Sequence, residues 1–157
     1  MKRKPYTKAQ LLPLKNAEVR ALSLDVHIAL ATIRRGQGGP IQIGHLAKTI
    51  YVACFLRDLT PEGADIEQFR RAEHVLDQCI ERAASGGTWL MPDEDYAALE
   101  RIILLYDAQL EAVPVYRLAE AWDKLDRLMV NRLQLPAEAE KEAEVEFVTN
   151  AVQEQLK

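Results

Sequence analysis

Apolar residues recur at helical spacing along almost the whole chain, and glycine or proline interrupts the pattern between one repeat and the next. Val19, Leu22, Val26, Leu30 and Ile33 mark one face of a first long helix, which "RRGQGGP" ends with Gly36 placed as the left-handed stop. Pro40 opens a second helix, "IQIGHLAKTIYVACFL", which is apolar around most of its circumference and carries Lys48 as its one charge, so it is expected to be the most buried element. Pro61 opens a third through Ile66, Phe69, Leu76, Ile80 and Ala83, ended by Gly86 and Gly87. Tyr96, Leu99, Ile103, Tyr106 and Leu110 form the inner stripe of a fourth. Pro114 precedes a fifth, with Leu118, Trp122, Leu125 and Met129 facing inward, and Pro136 opens a sixth along Val145, Val148 and Val152. No alternating segment of useful length argues for a sheet. The spacing predicts an all-α fold, a compact bundle of about six helices with antiparallel neighbours but without simple four-helix symmetry.

A length of 157 residues suits one domain, and such a chain buries roughly 70% of the surface its unfolded form exposes. The net charge of −4 conceals an asymmetry. Residues 1–35 hold eight Lys or Arg against Glu18 and Asp25, a balance of +6 that leaves −10 on the other 122 residues. A basic head attracts phosphate or an acidic partner, whereas an acidic body repels nucleic acid over most of its surface. Nucleic acid is therefore a possible partner through the N-terminal arm only. Cys54 and Cys79 sit inside helical apolar patterns and read as reduced core thiols in a cytoplasmic protein. "MKRKPYTKAQ" lacks the apolar stretch of a secretory signal, and the longest uncharged run, 36–47, is too rich in glycine for a membrane span.

Catalytic patterns are absent from the sequence. The residues three before His27, His45 and His74 are Leu24, Gln42 and Arg71, not the Glu of a di-iron bundle. His74 and Cys79 lie about 140° apart around one helix, too far for a shared metal. Ser23 and Ser85 lie outside any nucleophile elbow. "GPIQIGHL" has His45 and Leu46 where a phosphate loop needs lysine and a hydroxyl. Glu120–Lys124 and Asp123–Arg127 are i, i+4 pairs of a solvated helix face. No catalytic residue, metal, cofactor or small-molecule substrate is expected, and the chain reads as a non-enzyme. A helix-turn-helix starting at Leu46-Ala47-Lys48 fails because its recognition segment would be Val52, Ala53, Cys54, Phe55 and Leu56, which are core residues.

Two features remain as candidate contact sites. The stretch "AASGGTWLMPDEDYAAL" reads first as a corner: Gly86 and Gly87 close one helix, and Asp93, Glu94 and Asp95 complement the dipole at the start of the next. Trp89 between them folds back as a plug, its indole N–H seeking a helix-end carbonyl. Trp89, Asp93, Glu94 and Asp95 form a possible interaction corner. The second feature is the basic head, where Lys2, Arg3, Lys4, Lys8, Arg34 and Arg35 could meet a partner or phosphate.

"KRKPYTKAQ", the "IRRGQGG" turn followed by "HLAKTIYVACFL", "GGTWLMP" and "LLYDAQLEAVPVYRLAEAW" together resemble a group of small helical proteins of proteobacterial mobile elements and prophage-like regions. The resemblance covers roughly residues 2 to 125. Members often carry the label Fis-family transcriptional regulator. The Fis protein has a C-terminal helix-turn-helix, and this chain departs from that pattern by ending in the acidic "AEAEKEAEVEFVTNAVQEQLK". The resemblance implies a setting, bacterial cytoplasm and mobile DNA, and brings no catalytic residues.

The expected organisation is a flexible basic arm over 1–8, a helical bundle over 9–135, and an acidic C-terminal helix over 136–157 that packs on the bundle or on a partner. The expected function is that of a non-enzymatic interaction or accessory protein of mobile-element origin, acting on host defence or regulatory machinery, with a protein partner or self-association. The alternative is a DNA-associated transcriptional regulator that touches phosphates through its arm.

Overall fold

The computed structural model describes residues 3–61 and 65–133. These form α1 (Lys8–Leu11), α2 (Asn16–Arg34), α3 (Pro40–Phe55), α4 (Ile66–Ala84), α5 (Asp93–Ala112) and α6 (Val115–Leu133), with a 3₁₀ turn at Arg57–Leu59. Among the described residues there is no strand, only an isolated antiparallel bridge between Pro13 and Pro114. The expected acidic helix over 136–157 lies outside the described residues.

Local chemistry sets the helix ends. Gly36 takes φ +78° after α2, as the left-handed stop requires, and Pro40 stands in the first turn of α3. Helix α4 begins later than Pro61. Asp65 is its N-cap, its side chain accepting from the Glu67 N–H, so proline there marks a turn and the carboxylate starts the helix. The C-terminus of α3 is buried, and its carbonyls need donors. Arg57, 7% exposed, donates through a guanidinium nitrogen to the Cys54 carbonyl at 2.8 Å. Gln109 of α5, fully buried, donates its amide to the Ala53 carbonyl at 2.9 Å.

Helices α2 to α5 make an up-down-up-down array. Each runs back along its predecessor, and α5 closes the ring against α2: His27 meets Asp107 at 2.7 Å, and Arg34 at the end of α2 lies over Tyr96 in the second turn of α5. Helices α3 and α5 also touch across the diagonal. A four-helix core is therefore present, and the departure from symmetry comes from what is added to it. Helix α6 packs on α3 from outside. Trp122 lines a depression with Gly44, His45 and Lys48, while the Lys124 ammonium lies 4.8 Å from the Phe55 ring centroid.

The inner faces follow the predicted stripes closely in α5, where Tyr96, Leu99, Ile103, Tyr106 and Leu110 are all buried. In α4 the inward residue near the end is Cys79, and Ile80 is 43% exposed. In α6 Leu118, Ala121 and Leu125 are buried, Trp122 is partly buried, and Met129 faces outward. Helix α3 is matched in burial by α5: seven of its 16 residues are buried against nine of 20 in α5, with α3 touching α2, α4, α5 and α6 and α5 touching α2, α3 and α4.

Candidate functional site

The corner between α4 and α5 is built from backbone requirements. Gly86 takes φ +86°, and a Cβ on Gly87 would meet the Arg82 carbonyl oxygen at 2.7 Å, the same oxygen that accepts the Gly87 N–H at 2.8 Å. Trp89 is partly buried against the core, and the polar contact there is made by its backbone carbonyl, which accepts from the Cys79 thiol at 3.2 Å. Burial raises the Cys79 pKa, with Arg82 opposing. The Met91 N–H donates to the Tyr96 hydroxyl at 3.1 Å, pinning the loop to α5. Asp93, Glu94 and Asp95 occupy the first turn of α5, with Asp93 and Glu94 exposed and Asp95 partly covered. His74 is exposed on α4, ten residues before the helix ends and so about 15 Å back along it, which keeps it out of the acidic corner.

The basic residues do not form one patch. Lys2 lies outside the described residues; Arg3, Lys4 and Lys8 are exposed at one end of the molecule. Arg34 and Arg35 are at the other end of α2, a helix of 19 residues and about 28 Å. There Arg34 sits 4.8 Å from the Tyr96 ring centroid, beside the acidic turn, which gives that corner charges of both signs. The structure thus brings Arg34 to the Asp93–Asp95 corner and separates it from the arm.

The arm itself is docked from Tyr6 onward. Thr7 caps α1 with a reciprocal capping box to Gln10, and the Tyr6 ring stacks on Tyr116 of α6 at 4.3 Å. The Tyr6 hydroxyl donates to Glu120 at 3.0 Å, a bond that raises the phenol pKa. The Val115 N–H donates to the Leu12 carbonyl at 3.0 Å.

Two depressions lie on α3. The larger is an open depression of about 550 Å³ lined by Pro40, Ile41, Gly44, His45, Lys48 and Trp122. Ile41 on its rim is 83% exposed, the most exposed large apolar side chain among the described residues. The smaller, about 40 Å³, lies between α3 and α4 with Glu73, Asp77 and Tyr51 among its lining. Burial, reinforced by the Asp77 carboxylate, pushes the Glu73 pKa up to about 7 against the pull of Arg70.

Three polar groups emerge that sequence reasoning did not single out. His27 donates Nε2–H to Asp107 across the α2–α5 groove, since the carboxylate only accepts. Arg57 and Gln109 are the side-chain caps of α3. Gln109 interrupts an otherwise apolar stripe of α5, a signal for a buried polar role, but its partner lies 56 residues away. Among the described residues no group of three or more His, Cys, Asp or Glu is placed to hold a metal ion, and no helix is long and apolar enough to cross a membrane. Comparison with known proteins gives no match to a family model, a curated protein or a solved structure.

Proposed function

We propose that this chain is a non-enzymatic interaction protein that acts by binding another protein through its surface. The observation that carries the reading is the α3–α6 depression: an isoleucine 83% exposed beside Trp122, with Lys48 and His45 on the rim. A large apolar side chain held out in water beside an indole is a feature of contact surfaces, and the Lys48 ammonium on the rim selects an acidic, amphipathic segment of the partner. The resemblance to mobile-element proteins suggests host defence or regulatory machinery as the target and the bacterial cytoplasm as the setting.

Affinity capture from a proteobacterial host tests this, with the native chain compared with Ile41→Asp and Lys48→Glu. The reading expects a protein held by the native chain and lost from both variants while their circular dichroism is unchanged. Identical captures from all three overturn it.

A second reading, a DNA-associated regulator, is favoured by the exposure of Arg3, Lys4 and Lys8 at one end of the bundle. Binding of this kind weakens by orders of magnitude between about 50 and 200 mM salt and is lost when these three residues are replaced by Glu. No gel shift at the lower salt removes it. Substitution is the cleaner test, because deleting residues 1–8 also removes the Tyr6 contacts to α6.

A further inference from the structure

Helix α2 has a second apolar face that its own fold leaves uncovered. Its inner face is spent on the bundle through Val19, Val26, Ala29, Leu30 and Ile33. On the opposite side Ala17, Ala21, Leu24, Ile28 and Ala31 are all exposed, Leu24 at 58% and Ile28 at 52%. Their spacing, 4-3-4-3, is the heptad interval of a helix that pairs with another helix. The α3-facing side of the molecule is covered by α6, whereas the outer side of α2 has no neighbour among the described residues. Leu104, 56% exposed on the adjoining α5, widens the apolar surface.

We propose that this face pairs with a second copy of the chain, the two α2 helices lying parallel about a two-fold axis. The choice of occupant rests on charge. With Ala21 and Ile28 as a positions and Ala17, Leu24 and Ala31 as d positions, the g flank carries Arg20, His27 and Arg34 and the e flank carries Glu18, Asp25 and Thr32. In a parallel pair each g residue faces the e residue five positions on, so Arg20 of each copy meets Asp25 of the other, twice per dimer. In an antiparallel pair like flanks meet: Arg20 faces Arg34, and Asp25 faces Asp25. A heterologous acidic or basic helix would satisfy one flank and oppose the other. Ile at a with Leu at d also favours two parallel strands, and the three alanines let the backbones approach. Arg35, the next a position, is the C-cap of α2, so the helical seam ends before it. The seam spans little more than two heptads, so an affinity of about 1–100 μM is expected. This inference stands apart from the α3–α6 depression, which lies on other helices.

Sedimentation velocity of the full chain across about 1–200 μM tests it. A reversible monomer–dimer equilibrium is expected. Leu24→Lys should raise the dissociation constant at least about 100-fold with circular dichroism unchanged, since the residue is exposed in the monomer. Arg20→Glu and Asp25→Arg should each weaken pairing about tenfold, and the double variant should restore it. A full chain that stays monomeric at the highest concentration overturns the proposal, including the case in which residues 134–157 cover the stripe. A dimer indifferent to Leu24→Lys shows that another face pairs. A dimer lost in Leu24→Lys but not restored in the double variant overturns the parallel arrangement. Loss of the partner captured through Ile41 would leave all of these outcomes untouched.

Discussion

Helices α2 and α4 have the same length, 19 residues, and the same number of buried residues, five, yet their outer faces differ completely. The outward side of α4 is polar, with Glu67, Gln68, Arg71, His74, Gln78 and Glu81 exposed. The outward side of α2 presents two alanines, a leucine, an isoleucine and a third alanine. One-sided burial explains the apolar residues of α4 apart from Ile80 and Ala84 near its end, but leaves five of the eleven in α2 without a use. The difference teaches that α2 is shaped by two surfaces, one that folds the chain and one that meets something beyond it.

The largest effects should fall where the two helices are alike. Phe69→Ala in α4 and Leu30→Ala in α2 each empty a buried site and should cost about 3–5 and 2–5 kcal/mol, measured by urea denaturation. A far smaller loss for Leu30→Ala would break the comparison by showing that the inner face of α2 is not core.

The next effect sharpens the polar side of α4. Glu73 is shifted from the usual 4.5 to about 7, so the folded chain holds its proton more tightly than the unfolded chain. The contribution of the protonated group is fully present below about pH 4.5 and is lost as pH rises through 7. Glu73→Gln should therefore stabilise the protein by on the order of 2 kcal/mol at about pH 8 and have no such effect at about pH 4. Gln109→Leu strips the Ala53 carbonyl of its donor and should cost about 1–2 kcal/mol, independent of pH.

The smallest stability effects belong to the outer faces. Leu24→Lys and Gln78→Lys should both stay within about 0.5 kcal/mol in dilute solution, because both side chains are exposed. Their difference should appear only in concentration dependence, Leu24→Lys abolishing it and Gln78→Lys leaving it intact.

Periodicity was enough to read α2 to α6, though not the one-turn α1, and Gly36, Gly86 and Pro40 sufficed for three of the helix ends, because these are local effects of backbone geometry. The corner was legible for the same reason: two glycines and an acidic first turn follow from the needs of helix termini. Helix α4 starts from Asp65, its N-cap, and not at Pro61: both fit a helix start, and it is the Asp65 carboxylate that caps an N–H of the first turn. What stayed hidden is non-local. The Tyr6–Glu120 bond spans 114 positions, His27–Asp107 spans 80, and nothing in either neighbourhood announces the partner. The separation of Arg34 from the arm was hidden too, since residues close in a charge count lie at opposite ends of a rigid helix. The two faces of α2 mask each other: a helix apolar on both sides gives a blurred stripe.

The most direct measurement is oxidative crosslinking of Ile28→Cys in the full chain, with His74→Cys as the control on α4. Both native cysteines are buried, so the new thiol reports alone. A parallel two-fold pair sets position 28 against itself, and the Ile28→Cys chain should run as a covalent dimer under mild oxidation while the His74→Cys chain remains single. Equal crosslinking of the two, or none at position 28 at about 100 μM, would contradict the assignment of a second working face to α2.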